Sequence, residues 1–229
     1  SVDGFGLHGS LVQASGALLS YITETQKKNL SYITTVNVEN MGHFMIIDAS
    51  TMRNLELLKS TSTKGTLLSV LDKTETAMGS RLLRKWIREP LLHVPEINKR
   101  LDAVEWLKKE TLKRNALLVQ LQGIQDIERL IGRISYGNAN ARDLLALRKS
   151  LEKIPAVKTQ LEGGNAEMIV KARNMPEMQE IVALIEKAIL EEPSVMLREG
   201  NMIKRAYDAE LDKLHEIKKN SKHIISAME

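Results

Sequence analysis

One stretch limits the fold of this chain more than any other: Thr76 to Pro90, a helix with both ends written into its residues. Thr76 is the expected N-cap, since its hydroxyl can accept from a first-turn amide that has no intrahelical partner. Pro90 ends the segment, because the residue before a proline is pushed out of the helical region. Between them Met78, Leu82, Leu83, Trp86 and Ile87 recur at helical spacing and form an apolar stripe. Arg81, Arg84, Lys85 and Arg88 line the opposite face. Such a stripe needs a cover, so the segment predicts helix packed on helix, with Trp86 in a core and Arg84 at the surface.

From Leu67 onward every segment reads as helical. Pro95 sits where its missing amide is unused, in the first turn of a helix running to about Lys109, and a second run goes from Glu110 to Leu121. Asn140 and Asp143 form a cap pair ahead of Leu144, Leu147 and Leu151. Gly163-Gly164-Asn165 breaks the pattern. Pro176 and Pro193 bracket a helix with Ile181, Leu184, Ile185 and Ala188 predicted to point inward. Aromatic content is only 3%, so the core is aliphatic, and unbranched aliphatic side chains lose little rotamer freedom in helices.

The first third is less uniform. Leu11 to Gln26 reads as a helix. Thr35–Glu39 and Phe44–Asp48, joined by Asn40-Met41-Gly42, predict a β-hairpin. Asp48 caps a short helix through Leu57, and residues 60–65 form a polar loop. The expected class is therefore mainly α: a multi-helix core, a small hairpin near the start, and a projecting carboxyl-terminal helix.

Composition removes several chemistries. The 229 residues include no cysteine, which excludes disulfides, thiolate nucleophiles and zinc–thiolate sites together. No apolar run approaches the length of a spanning helix, and no charged-then-apolar leader opens the chain, so a cytoplasmic setting is expected. The net charge is +4, with 33 basic against 29 acidic side chains. That excess is small beside the total, and charge alone is a weak argument for nucleic acid.

Four motifs invite chemistry and are better explained without it. Gly4-x-Gly6-x-x-Gly9 matches a dinucleotide fingerprint as a string, but that site needs a strand feeding the glycine turn, and only Ser1-Val2-Asp3 precede it. Phe44-Met45-Ile46-Ile47-Asp48 resembles a strand ending in a metal-holding aspartate, yet no phosphate loop partners it; Lys64-Gly65-Thr66 has the wrong order. Arg81, Arg84, Lys85 and Arg88 could neutralise phosphates, but Glu75 and Glu89 stand ready to pair with them. Asp208 and Asp212, one turn apart, lack converging ligands for a cation. The five histidines are scattered, none one turn from another. No catalytic, cofactor-binding or metal-binding residue is assigned.

Read in order, four blocks resemble the MutS family of DNA mismatch-repair ATPases. The first is Thr76-x-Met78-Gly79-Ser80-Arg81-Leu82-Leu83, then Trp86 and Pro90-Leu91. The second is Ile97 through Val104, with Arg100-Leu101-Asp102-Ala103-Val104. The third runs from Asp126-Ile127-Glu128-Arg129-Leu130 through Gly132-Arg133-Ile134 to Arg142-Asp143-Leu144 and Leu147-Arg148. The fourth is Arg198-Glu199-Gly200, Tyr207-Asp208 and Glu210-Leu211-Asp212, similar to the turn that launches the family's long lever helix. The family often has glycine where Asn201 and Ala206 stand here, which leaves the geometry of that turn open.

The resemblance implies a division into residues 1–30, the helix arriving from a connector domain; 31–199, the core; and 200–229, the start of the lever. Leu211, Leu214, Ile217, Ile224, Ile225 and Met228 would form the lever's apolar stripe. That pattern is still running at Glu229, with no cap, proline or polar tail, and reads as an excised middle piece. Its role would be mechanical and non-catalytic, carrying conformational change between an ATPase and a DNA clamp. The expected partners are the clamp and ATPase domains of the same parent chain and, through the parent, mismatched DNA. ATP and Mg would belong to the parent, a homodimer, and the piece itself would be monomeric or weakly self-associating. The alternative is a free-standing helical adaptor for protein or RNA.

Overall fold

A computed structural model describes residues 9–26, 33, 35, 41–59, 65–194 and 196–226. The chain divides into two compact units, Ser1–Gly42 and His43–Glu229. In the first, the described structure is chiefly one helix, α1 (Gly9–Gln26). Its Thr23 and Thr25 hydroxyls donate to the carbonyls of Leu19 and Tyr21 four residues back, while Leu18 and Tyr21 are exposed.

The second unit is helical almost throughout: α2 (Ala49–Asn54), α3 (Leu67–Leu71), α4 (Ala77–Arg88), α5 (Val94–Lys109), α6 (Thr111–Leu121), α7 (Ile127–Ser135), α8 (Ala141–Leu151), α9 (Ile154–Gln160), α10 (Glu167–Arg173), α11 (Gln179–Ala188) and α12 (Ala209–Ser226). Short polar side chains start several of these helices. Asp48 accepts from Thr51 N at 2.7 Å, Thr66 from Ser69 N at 3.0 Å and Thr76 from Gly79 N at 3.1 Å. Asn140 and Asp143 close a full capping box, each side chain accepting from the other's backbone N–H at 2.9 and 2.8 Å. Pro95 lies in the first turn of α5.

The apolar interior has two parts. The first surrounds α8, which packs on α7 and α11: Leu130, Leu145, Leu147, Leu151, Val182 and Ile185 are all buried. The second joins α5, α9 and α10 through Ala103, Val157, Leu161 and Ile169, with Trp106 packed against them. Gly164 lies hard against this cluster. A Cβ there would stand 2.4 Å from Ile169 Cγ2 and 3.1 Å from the Trp106 ring, so no larger residue fits without rearrangement.

Three expectations fare unevenly. Of the hairpin expected from Thr35–Glu39 and Phe44–Asp48, residues 36–39 lie outside the described residues, and no strand is formed among the described ones. Met41–His43 is a 3-10 turn, and Phe44 forms an isolated antiparallel bridge with Leu91. Met45 N donates to Pro90 O at 2.8 Å and Leu92 N to His43 O at 3.0 Å. Residues 43–45 thus pair with the backbone released where α4 ends. Second, no residue of α4 is buried. Leu82 is 48% exposed and Trp86 only half-covered, with the Arg100 guanidinium 3.8 Å from its ring centroid. Third, of the four residues expected inward on α11, Ile185 and Ala188 are buried but Ile181 and Leu184 are not, and Val182 is buried as well. Both stripes satisfy helical spacing, and contact with α8 chooses between them.

Candidate functional site

The functional geometry gathers where the chain leaves the packed body for α12. Ile189 and Ile203 form an isolated antiparallel bridge. Leu190 N donates to Met202 O at 2.9 Å and Lys204 N to Ala188 O at 2.8 Å, so this short ladder pins the approach to the last helix. Lys204 Nζ adds a bond to Glu186 O at 2.7 Å. The ladder is tied to α8 as well. Arg148, 8% exposed at its side chain, reaches Glu191 with two nitrogens at 2.7 and 2.9 Å. Glu191 keeps that guanidinium charged, and Arg148 in turn holds the Glu191 carboxyl below its usual range. Sequence reasoning did not foresee this pair, although a signal exists: Arg148 interrupts the apolar run Leu144, Leu147, Leu151.

Three residues flanking the second side of the ladder have positive φ: Gly200 and Asn201 just before it, at 68° and 55°, and Ala206 just after it, at 64°. Asn201 and Ala206 are the two positions where the resembled family favours glycine, and both keep the conformation that glycine would supply. Asparagine tolerates it. For alanine the left-handed region costs roughly 1–2 kcal/mol. Tyr207 N donates to Lys204 O at 3.4 Å, which makes Ala206 the third residue of a turn whose class asks for positive φ there.

Asp208 and Asp212 hold the far side of this turn, each through a backbone amide. Asp208 Oδ1 accepts from Leu211 N at 2.8 Å, capping α12. Asp212 Oδ2 reaches back six residues to accept from Ala206 N at 2.8 Å, and Arg205 stands 3.6 Å from its other oxygen. Along α12, Leu214 and Ile217 are exposed.

A second polar cluster joins two sequence blocks that are far apart in the chain. Arg81 on α4 donates to both oxygens of Asp126 at 2.7 Å and also pairs with Glu128. Arg81 drives the Asp126 carboxyl down to about 2. The rest of the basic face is largely occupied too: Lys85 lies 3.7 Å from Glu89, and Arg88 2.6 Å. Arg84 is exposed, and its charge adds to the hydrogen bonds that hold the Asp72 carboxyl below its usual range. Four cations in a row have therefore become mostly intramolecular tethers.

The remaining motifs do not converge. Gly9 opens α1, whereas Gly4, Gly6, His8 and Lys64 lie outside the described residues, and Asp48 caps α2. Among the described residues no three His, Asp or Glu side chains are grouped to hold a metal. A cleft of about 460 Å³ is lined by Arg142 and Lys149 but also by Glu191 and Glu192, a balance that selects no single charge. No described helix is long and apolar enough to cross a membrane.

Fold and junction together define a helical scaffold domain that fixes and launches a long terminal helix. Residues 50–228 match the family described as MutS domain III, and the chain belongs to the MutS family. It is 44% identical over 230 residues to the DNA mismatch repair protein MutS of Alkaliphilus oremlandii, covering 99% of this chain and 26% of that protein. The protein of the same name from Brevibacillus brevis is 42% identical, covering 98% of this chain and 26% of the relative. That from Ruminiclostridium cellulolyticum is 46% identical, covering 95% and 25%. The chain spans about a quarter of the length of these curated relatives.

Proposed function

We propose that this chain is the core and lever root of a DNA mismatch-repair ATPase, where it carries conformational change between the nucleotide site and the DNA clamp of its parent protein. On this reading residues 31–199 are the core and residues from 200 onward the lever, with no catalytic residue among them. ATP and Mg act in the parent, which works as a homodimer on mismatched DNA. One observation carries the reading: α12 is anchored at its root by the 188–204 ladder, Asp208 and Asp212, yet Leu214 and Ile217 are exposed. A helix held firmly at one end and bare along its side is built to move something packed against it. Rigid packed bodies suit such work because they shift between discrete arrangements and do not deform smoothly.

Hydrogen exchange on the whole parent protein tests the proposal. Binding of ATP, and separately of mismatched duplex, is expected to change protection in α12 and in residues 188–204. A parent in which neither ligand alters exchange there would sink it. The described domain, tested alone, is expected to bind duplex weakly, without preference for a mismatch, and to release it with added salt.

A further inference from the structure

The passage from the body to α12 runs through one residue in a conformation it does not favour, held by one side chain. We propose that Asp212 is the positioning residue of this joint: its carboxylate keeps Ala206 left-handed and thereby sets the direction in which α12 leaves the core. The inference rests on the lever reading above and names the part that fixes the lever's angle.

The anchoring is asymmetric. Up to Lys204 the backbone is pinned by Lys204 N to Ala188 O and by the Lys204 side chain to Glu186 O. From Ala209 on, the chain is regular helix with its own cap, Asp208. Between the two, the backbone is held by a long turn bond, Tyr207 N to Lys204 O at 3.4 Å, and by the Asp212 carboxylate on Ala206 N at 2.8 Å. Take the carboxylate away and an alanine at φ 64° has a steric reason to leave for negative φ. Everything after it turns with it. The 18 residues of α12 make a rod about 27 Å long, so a swing of about 30° carries its far end through roughly 14 Å. Because Asp208 caps the helix independently, loss of Asp212 redirects α12 without unravelling it.

Position 212 needs an acceptor rather than a charge in this scheme, and position 206 needs tolerance of positive φ. Three variants separate those requirements. The chain has no cysteine, so nitroxide labels at Lys187→Cys on α11 and Glu216→Cys on α12, both exposed sites, report the joint by double electron–electron resonance. The unmodified joint is expected to give one distance. Asp212→Ala should shift the population toward a second distance by about tenfold, reflecting the strain released. Asp212→Asn, which retains an acceptor oxygen, should keep the first distance. Ala206→Gly placed in the Asp212→Ala background should restore the first distance in at least part of the population, since glycine takes positive φ freely.

An unchanged distance in Asp212→Ala, with its helical circular dichroism intact, overturns the proposal. So does failure of Ala206→Gly to bring any of the first distance back, for then simple loosening, not strain, explains the effect. The lever reading is tested separately by the same labels in the whole parent protein with and without ATP: a distance that stays fixed there defeats that reading whatever Asp212 does.

Discussion

Helices α8 and α4 are nearly the same length and both have apolar faces, yet they are held by opposite means. α8 buries Ala141, Leu145, Leu147 and Leu151 and even encloses Arg148 and Ser150. α4 buries nothing. It is held by Arg81 on Asp126 and Glu128, by Trp86 against Arg100, and at its end by backbone bonds around Leu91. A pattern of apolar residues says that a face seeks cover; it does not say how much cover it finds. Burial and polar tethering also respond to different perturbations, which is how the contrast can be tested.

The largest effect belongs to α8. Leu151→Ala is expected to cost about 2–5 kcal/mol, as removal of a buried leucine does, and to lower the thermal midpoint of the whole unit. Leu82→Ala on α4, nearly half exposed, should stay within about 0.5 kcal/mol. Comparable losses in chemical denaturation of the two variants would break the comparison. Next in size is Gly164→Ala, where the added methyl must displace Ile169 or Trp106; overpacking of this kind costs typically 1–3 kcal/mol. A midpoint equal to wild type would show that the second core is looser than its contacts indicate.

A smaller effect sharpens the view of α4 as a tethered element. The Asp126 carboxyl is held down to about 2 by Arg81. Its folded value is lowered, so its contribution is fully present above the ordinary unfolded value near 4 and is lost as pH falls toward 2. The stability gap between wild type and Asp126→Asn should therefore close across that window. It should also shrink in high salt, since the Arg81 end is partly exposed. A gap that persists at the acid end would mean the tether is not ionic. One small change runs the other way: Ala206→Gly alone should raise stability by roughly 0.5–1 kcal/mol, relief of strain outweighing the added freedom of the unfolded chain.

Much of this molecule was legible from its sequence wherever the signal is local. Thr76, Asn140 with Asp143, and Asp48 mark helix starts through bonds within three residues, and Pro95 through its missing amide, so sequence and structure agree there. The reading failed where a distant neighbour decides. Nothing near Phe44 announces Leu91 as its partner, and the choice of Val182 over Ile181 and Leu184 for the inner face of α11 depends on α8. Trp86 looked like a core residue because of its stripe, yet Trp106, in a helix with a weaker pattern, is the ring that packs beside Gly164. At the junction, Asp208 and Asp212 were visible as a pair, but their backbone targets were not. Arg81 and Asp126 were each noticed within separate blocks, and only the fold brings them together.

Ser150 has no accessible surface, and its hydroxyl both accepts from Gln125 N at 2.9 Å and donates to Ala146 O at 2.7 Å. Gln125 immediately precedes Asp126, the residue that grips Arg81. A single oxygen inside α8 therefore sets the register of the loop that α4 hangs on. Alanine there would orphan an amide, and threonine would need room for a methyl group that a sealed site does not offer. Position 150 thus carries a load for α4 as well as for its own helix, through one hydroxyl and the loop it holds.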